Sequence, residues 1–429
     1  MAATGKYSHN GANGGGIVNA GTLTLTNSTV TGNRAGSGGQ GFNDTAGNGG
    51  TGGGIANTGT FKATDSTISA NSAGWGGIGL YGNELSGKGG MGGGIYSGSG
   101  SITLNNSVVS GNTSGSSGSG GDGPANAGDG GGVWSAGNLV VTGSTFSANT
   151  GGNGIGLGAN GGGISTSGTA TISTSTFTSN TGGQGGSTGG DGGAIANSGT
   201  LTKSTSTLSG NAAGLGAVMG GAGGGLAVSA GTATLTGCLA PGIGGDGGGI
   251  YSTATLSVIN STVSGNTTGA GGYYELPCTG QAPSGVGGGL ATNGGTATLS
   301  YATVADNSDG IDNLAGSVAL GGTIVADSTG SNCTGTISET SGYNLDSGTT
   351  CGLLAGTDIS GTEPLLTGLA ANGGPTATQA LQAGSPAIDH GGSALAGRPS
   401  ADQRGLARPD EIGDGVTCDI GAYESQGIG

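Results

Sequence analysis

The chain has few charged residues, and most of those are acidic. Charged residues make up 7% of its 429 residues, with 8 Lys and Arg against 23 Asp and Glu, which gives a formal net charge of −15. Binding to nucleic-acid phosphates requires clustered Lys and Arg side chains. The composition therefore argues against a nucleic-acid partner.

Aromatic residues and long apolar runs are also scarce. Aromatic side chains account for 3% of the sequence, and no run approaches the roughly 18 apolar residues of a membrane-spanning helix. No stretch has helical periodicity, and a chain with 112 glycines is poorly suited to helices. These absences predict an all-β protein with no transmembrane segment.

What the sequence does contain is one phrase repeated nine times. Each copy opens with a glycine-rich triplet and an aliphatic anchor, continues with an alternating Thr-rich run, and ends near a second apolar anchor. The two anchors of a copy are 13 or 14 residues apart, whereas successive copies are 24 to 40 residues apart. The first anchors are Ile17, Ile55, Ile95, Val133, Ile164, Ile195, Leu226, Ile250 and Leu290, and the second are Val30, Ile68, Val109, Phe146, Phe177, Leu208, Leu239, Val263 and Val304.

This repeat predicts a parallel β-helix, in which each copy forms one turn that stacks on the previous turn. Alternation with period two indicates short strands, and strands that recur at a fixed phase are typical of a solenoid. We expect about nine regular turns in residues 1–309, followed by irregular final turns and a C-terminal cap in residues 310–429. All variation in repeat length would then project from one corner of the coil.

An asparagine follows the second anchor by three residues in eight of the nine copies. Stacked asparagines pass amide hydrogen bonds from one turn to the next, and asparagine tolerates the left-handed backbone of a corner. We interpret the row as a structural ladder rather than a ligand site. Its members are Asn33, Asn71, Asn112, Asn149, Asn180, Asn211, Asn266 and Asn307.

The variable inserts are rich in glycine and lack apolar anchors. We expect segments such as 36–53 and 114–132 to be mobile for this reason. They nevertheless hold much of the small aromatic content, which suits stacking on a sugar or contact with a protein partner, although the rings could equally fold back over the coil. The candidate ligand-binding residues are Phe42, Trp75, Tyr81, Tyr273 and Tyr274.

Three aspartates occupy the same place in their copies, four residues before the first anchor. Asp129, Asp191 and Asp246 are ordinary turn residues before glycine, but a calcium site and a catalytic pair are alternatives. Calcium takes six to eight oxygen ligands, and no copy brings several carboxylates together. Asp129 and Asp191 would lie two turns apart, about 10 Å, which exceeds the separation in glycosidases.

The outward threonines form a second regular feature. Thr-x-Thr pairs recur in most copies, and such arrays resemble those of ice-binding proteins. Threonine is also common on exposed strands because of its high β propensity, independently of any ligand. We expect Lys62, Lys203 and Asn138 to interrupt this lattice.

Five cysteines lie late in the chain. We expect Cys333 and Cys351 to form a disulfide, which would indicate an oxidising compartment, with free buried thiols as the alternative. A second bridge between Cys238 and Cys278 is conceivable, and the state of Cys418 is left open.

The C-terminal region regains charge. Arg404 and Arg408, with acidic residues that include Asp389 and Glu424, suit a cap held by ion pairs. The alternative is an arginine site for a carboxylate or a sugar acid.

Three C-terminal motifs carry a family resemblance. They are Ser-Pro-Ala-Ile-Asp at 385–389, Asp-Gln-Arg-Gly-Leu-Ala-Arg-Pro at 402–409 and Cys-Asp-Ile-Gly-Ala-Tyr-Glu at 418–424. Together they resemble the ending of bacterial choice-of-anchor Q surface proteins, and the Gly-Gly-x-Ile and Asn repeats resemble chlamydial polymorphic outer-membrane proteins. This resemblance implies a secreted, right-handed parallel β-helix displayed on the cell surface, often without enzymatic activity.

We therefore expect a non-catalytic adhesin or structural element outside the cell. Its partner would be an extracellular glycan, a protein or another copy of the chain, and it would need no cofactor, with calcium as a weaker alternative. The N-terminal residues do not form a signal peptide, which suggests a trimmed piece of a longer secreted precursor. The rival functions are a polysaccharide lyase or glycosidase, and an ice-binding solenoid.

Overall fold

The protein is a parallel β-helix, as the repeat predicts. In the computed structural model, the structure describes residues 8–41, 45–80, 85–120, 123–216, 219–239, 243–269, 285–392, 395, 398–409 and 417–426. Of the strands in these residues, 29 belong to one sheet in which every named pairing is parallel. The prediction of an all-β parallel coil is confirmed.

The early turns each contain three short strands. Each strand pairs with the equivalent strand of the next turn, so the coil advances by one strand spacing per repeat. The strands are β1 Ile17–Asn19, β2 Thr22–Thr26, β3 Thr29–Thr31, β4 Ile55–Asn57, β5 Thr60–Thr64, β6 Thr67–Ser69, β7 Ile95–Ser97, β8 Ser101–Asn105, β9 Val108–Ser110, β10 Val133–Ser135, β11 Asn138–Thr142, β12 Thr145–Ser147, β13 Ile164–Thr166, β14 Thr169–Ser173 and β15 Thr176–Thr178.

In the later turns the second and third strands often merge. The coil also continues past residue 310, since Ile311 and Asp312 pair with Cys333 and Thr334 in the following turn. The strands are β16 Ile195–Asn197, β17 Thr200–Ser209, β18 Leu226–Val228, β19 Thr232–Leu239, β20 Ile243–Gly244, β21 Ile250–Ser252, β22 Thr255–Ser264, β23 Thr267–Thr268, β24 Leu290–Ser300, β25 Thr303–Ala305, β26 Ile311–Gly321, β27 Ile324–Ala326, β28 Cys333–Thr334, β29 Glu339–Thr340, β30 Leu345–Asp346 and β31 Ile359–Ser360.

The core runs along the axis of the coil. The anchors stack like on like, as Ile164 does on Ile195 and Phe146 on Phe177, whose ring centroids are 4.7 Å apart. All four of these side chains are fully buried. The alternating strands therefore bury one continuous apolar column and expose the intervening residues.

The asparagine row forms hydrogen bonds from turn to turn. The Nδ2 atom of Asn112 donates to Oδ1 of Asn149 at 2.9 Å, and that of Asn149 donates to Oδ1 of Asn180 at 2.9 Å. The backbone N–H groups of the same residues donate to the same oxygens. Such bonds run from Asn33 through Asn71, Asn112, Asn149 and Asn180 to Asn211, and again from Asn266 to Asn307.

The expectation that the glycine-rich inserts are mobile is wrong for their described residues. The inserts stack into an ordered two-layer structure, here called the glycine plate, formed by the described residues of 35–53, 73–93, 114–131, 151–161, 182–192 and 213–223. Within a layer, Gly76 donates its N–H to the carbonyl of Ser116 at 2.9 Å. Between layers, Gly74 donates to Gly50 at 2.8 Å and Gly90 donates to Gly74 at 2.9 Å.

Exposure in the glycine plate follows a period of three residues. Trp75 and Ile78 are exposed, and the glycines between them are buried. This period is that of the polyproline II conformation, whose backbone groups are free to bond to neighbouring chains. A Cβ atom on Gly74 would lie 1.8 Å from the carbonyl oxygen of Gly36, so only glycine permits the layers to approach this closely.

The threonine face lies on the second strand of each turn. Thr169, Thr200 and Thr232 are directly paired in successive turns and exposed. The expectation that Lys203 interrupts this face is wrong, because Lys203 alternates inward. It is 1% exposed and stacks between Ile172 and Leu235 in the core column.

The cysteine prediction is confirmed where the structure describes it. Cys333 and Cys351 form a disulfide across 18 residues. Cys418 is a buried free thiol. Cys278 lies outside the described residues, as does the Cys238 side chain, so a bridge between them stays a prediction.

The C-terminal region packs against the side of the last turns rather than across their end. Leu381, Ala387 and Ile420 cover the outer faces of Ala305 and Ile324. Thr262 donates its hydroxyl to Oε1 of Gln403 at 2.7 Å, and Thr303 accepts the N–H of Ala422 at 3.0 Å. The cap therefore clamps one lateral face of the coil. No helix among the described residues is long and apolar enough to cross a membrane.

Candidate functional site

A polar cleft lies where the glycine plate meets the first strands of the coil. We call it the corner groove. Its volume is about 80 Å³, and it opens to solvent between the fourth and seventh turns. It is lined by Asp129, Asn160, Ser165, Thr166, Asp191, Ala196, Asn197, Ser198, Ala227 and Ser229.

The floor of the corner groove is a gap in a row of aromatic side chains. The residue after each first anchor points outward, and parallel register places these residues in one column: Tyr96, Trp134, Ser165, Ala196, Ala227 and Tyr251. Three successive small residues lie between Trp134 and Tyr251. With turns about 4.8 Å apart, the two aromatic ends are separated by roughly 19 Å.

A stacked aromatic pair lies beside the corner groove. The rings of Tyr96 and Trp134 have centroids 5.0 Å apart and planes inclined by 7°. Trp134 is paired on one side with Tyr96 and on the other with Ser165, which lines the groove. Tyr96 therefore covers one face of the indole, and the small side chain of Ser165 is its neighbour on the other side.

The rim on the plate side is a second ladder of hydrogen bonds. Oδ1 of Asp129 accepts the N–H of Asn160 at 2.7 Å, and Oδ1 of Asn160 accepts the N–H of Asp191 at 2.8 Å. Oδ1 of Asp191 in turn accepts the N–H of Ala222 at 2.7 Å. Asp129 and Asp191 thus each support the next turn through one carboxylate oxygen. This is the role expected of turn residues.

Burial perturbs both carboxylates of this rim. Desolvation raises the pKa of Asp129 to about 6, against the lowering effect of its hydrogen bonds with Asn160. Desolvation also raises the pKa of Asp191, with a further contribution from the charge of Asp246. A carboxylate with a raised pKa favours a partner that supplies positive charge or hydrogen-bond donors.

The strand beneath the corner groove contains a buried hydroxyl. Thr166 is 2% exposed, and its Oγ1 atom has no hydrogen-bond partner among the described residues. Its column continues through Asn197, which donates Nδ2 to the carbonyl of Gly199 at 3.0 Å, to Val228 of the core. The side chain of Thr166 therefore alternates inward, away from the outward floor at Ser165.

The third aspartate of the column makes the same kind of contact further along. Oδ1 of Asp246 accepts the N–H of Val286 at 3.1 Å. No group of three or more His, Cys, Asp or Glu side chains in the described part of the chain is arranged to bind a metal. The calcium alternative at Asp129, Asp191 and Asp246 thus has no support from geometry there.

Of the aromatic residues proposed from the sequence, the structure describes only Trp75. Trp75 is 54% exposed on the opposite face of the glycine plate, where the guanidinium of Arg34 lies 4.3 Å from its ring centroid. It does not approach the corner groove. Phe42, Tyr81, Tyr273 and Tyr274 lie outside the described residues.

The cap residues form internal pairs. Arg404 contacts Asp402 at 2.7 Å, and Arg408 contacts Glu424 at 3.2 Å. The backbone N–H of Asp389 donates to Oδ1 of Asp419 at 2.9 Å. These bonds occupy the two arginines within the cap, which favours the capping role over an arginine site for a sugar acid.

Comparison with known proteins gives no match. No protein-family model, no curated protein and no solved structure matches this chain. The resemblance to choice-of-anchor Q proteins therefore stays a prediction, and arguments about function depend on the geometry of the corner groove.

The sequence contained a signal for the corner groove that the repeat analysis missed. Tyr96, Trp134 and Tyr251 each follow a first anchor directly, so alternation alone places all three on one outward column. The small residues at Ser165 and Ala196 in the same place indicate the gap. The depth of the cleft could not be predicted from the sequence, because it depends on the glycine plate beside the first strands.

Proposed function

We propose that this protein is a secreted or cell-surface β-helix that binds a glycan without transforming it, and that the corner groove is its binding site. The observation that carries the proposal is the flat Tyr96–Trp134 stack beside a cleft lined by Asp129, Ser165 and Asp191, since Trp134 is directly paired with Ser165. The chain would then act as an adhesin whose regular coil holds this site in a rigid frame.

The chemistry of the corner groove suits a sugar. The free face of Trp134 offers a flat apolar platform, and the rims offer carboxylate, amide and hydroxyl groups for sugar hydroxyls. The length from Trp134 to Tyr251, roughly 19 Å, suits an extended ligand along the coil axis.

Two features favour binding over hydrolysis. Asp129 and Asp191 are two turns apart, about 10 Å, which exceeds even the separation of roughly 6.5–9.5 Å in inverting glycosidases. Each also uses one oxygen to accept a backbone N–H of the next turn. Both carboxylates are therefore fixed as parts of the scaffold.

The Cys333–Cys351 disulfide supports a location outside the cytoplasm. Disulfides persist in oxidising compartments and are rare in reducing ones. The C-terminal motifs from 385 to 424 that resemble choice-of-anchor Q proteins point to the same location.

A glycan array with the intact protein tests the proposal. We expect binding that Trp134→Ala abolishes, whereas Trp75→Ala, which removes an exposed tryptophan from the far face of the plate, leaves it unchanged. Thermal midpoints of both variants establish that the coil remains folded. Absence of binding to any glycan would contradict the proposal, as would binding lost only in Trp75→Ala.

The proposal that the protein does not cleave the bound glycan has a separate test. Glycans that bind are incubated with the protein, and the products are examined by mass spectrometry. We expect intact glycans. Cleavage that disappears in Asp129→Asn or Asp191→Asn would instead show that the corner groove is a glycosidase site.

A further inference from the structure

We infer that the corner groove selects saccharides that carry protonated amino groups, such as oligomers of hexosamine with free amines. The inference rests on the proposed function, because it names the class of glycan that the same site would take. The charge of the groove, the second carboxylate oxygen of Asp191 and the aromatic ring beside the groove support it.

The charge along the groove is negative. Asp129 and Asp191 line the cleft, and Asp246 continues the same column two turns further on. Of the Lys and Arg residues that the structure describes, only Lys88 lies on this face of the glycine plate, one turn before Asp129 and three residues nearer the plate's outer edge. An acidic glycan would meet this row of carboxylates, whereas an aminated glycan would be attracted to it.

The remaining described basic residues lie elsewhere. Lys62 is on the threonine face, Lys203 is in the core and Arg34 is on the opposite face of the plate. Arg398, Arg404 and Arg408 belong to the C-terminal cap, which packs on another side of the coil. Trp134 and Tyr251, which precede and follow the small residues of the floor column, add no positive charge.

Asp191 retains a carboxylate oxygen for a ligand. The ladder uses Oδ1 of Asp191, and no described residue donates a hydrogen bond to its Oδ2. Burial raises the pKa of both Asp129 and Asp191, so holding their charge in the empty groove is unfavourable. An ammonium group beside them would offset that cost through charge-assisted hydrogen bonds.

The aromatic residue beside the groove suits an amino sugar. Trp134 is directly paired with Ser165, which lines the groove. An indole ring attracts a cation as well as a sugar ring, because the ring face is electron-rich. A ligand in the groove would thus meet an acidic rim with an aromatic ring next to it.

The test uses two probes that differ in whether the amino group is free or acetylated. Titration calorimetry compares oligomers of glucosamine with oligomers of N-acetylglucosamine of equal length, near pH 6.5 and at low salt. We expect the free-amine oligomer to bind at least roughly tenfold more tightly, a preference that added salt weakens. The double variant Asp129→Asn/Asp191→Asn should lose the preference, and Trp134→Ala should weaken both probes.

A matched control separates the groove from the net charge of the chain. Asp65→Asn/Glu363→Gln removes two exposed carboxylates that do not line the groove, and so removes the same number of formal negative charges. We expect this control to retain the preference. Loss of the preference in the control would overturn the inference, as would its survival in Asp129→Asn/Asp191→Asn.

The outcomes distinguish this inference from the proposed function. Equal affinity for the two probes, still dependent on Trp134, would overturn the amine preference and leave glycan binding in place. Preference for the acetylated probe would do the same. Absence of binding to either probe would overturn the inference, and the glycan array then decides whether any glycan binds.

Discussion

The indole of Trp134 lies flat on the ring of Tyr96, with 5.0 Å between ring centroids and 7° between planes. The two residues are directly paired in neighbouring parallel strands. A parallel coil brings equivalent residues together in every turn, so two aromatic residues in the same place of successive copies must stack. This relationship turns a repetitive scaffold into a rigid platform at one place along its length.

Removal of Tyr96 should uncover the second face of Trp134. In a Trp75→Phe background, where Trp134 is the remaining tryptophan, Tyr96→Ala should increase quenching of its fluorescence by acrylamide. Tyr251→Ala is the control, because Tyr251 lies four turns from Trp134 and should leave quenching unchanged. Equal quenching with and without Tyr96 would show that the stack does not persist in solution.

The asparagine ladder should contribute most in the middle of the row. Oδ1 of Asn149 accepts both the backbone N–H and the Nδ2 of Asn112, and its Nδ2 donates to the carbonyl of Val109. Asn149→Ala leaves these buried groups without partners, which should cost about 1–3 kcal/mol per unsatisfied group. Denaturant unfolding should show the loss.

The terminal member of the ladder provides the control for Asn149. Asn33 begins the described row, is partly exposed and accepts no hydrogen bond from a preceding turn in the described residues. Asn33→Ala should therefore destabilise the protein much less than Asn149→Ala. Equal effects at both positions would mean that the ladder does not act through its buried amide bonds.

The register of the sequence was enough to predict the coil, its anchors and the asparagine row. It was not enough to predict the glycine plate, because glycine-rich composition is equally compatible with a flexible linker. The plate forms only because Gly36 and Gly50 of one insert and Gly74 of the next lie where their backbones can bond to one another. Cooperation between turns of this kind is not visible in any single insert.

The corner groove was missed for a related reason. Asp129 and Asp191 were correctly placed in one column by their spacing from the anchors, but their neighbour Trp134 was not considered with them. Trp134 and Ser165 occupy the same place in successive copies, so they are paired and Trp134 lies beside the groove. The prediction that Lys203 lies on the exposed face was wrong for a simpler reason. Side chains alternate along a strand, and Lys203 directly follows the outward Thr202.

Substitution of a plate glycine should disrupt the packing of the two layers. A Cβ atom on Gly74 would lie 1.8 Å from the carbonyl oxygen of Gly36 and 2.6 Å from the amide of Gly50. Gly74→Ala therefore forces backbone movement, which should destabilise the protein by about 1–3 kcal/mol and increase hydrogen exchange in neighbouring inserts.

Gly21→Ala is the matched control for Gly74→Ala. A Cβ atom on Gly21 would meet no heavy atom within 4 Å, so this change should leave stability and exchange nearly unaltered. If Gly74→Ala were tolerated as well as Gly21→Ala, the glycine plate would be a loose layer and would not support the rim of the corner groove.

Asp129 should make the stability of the protein depend on pH. Burial raises its folded-state pKa to about 6 from an ordinary value of 3.8, so the folded state binds the proton more tightly than the unfolded state. Its stabilising contribution is therefore complete below pH 3.8 and is lost as the pH rises through 6. Asp129→Asn, which is neutral throughout, should be more stable than the parent near pH 7.5 and nearly equal to it near pH 3.

Asn160 shows that asparagine can make the required hydrogen bond in the same column, since its Oδ1 accepts the N–H of Asp191 at 2.8 Å. Urea unfolding of both proteins at the two pH values measures the difference, with exposed Asp65→Asn as the control that should give no pH-dependent gain. A gain from Asp129→Asn that is equal at both pH values would contradict the argument, because it would show that the charge of Asp129 is not what destabilises the fold.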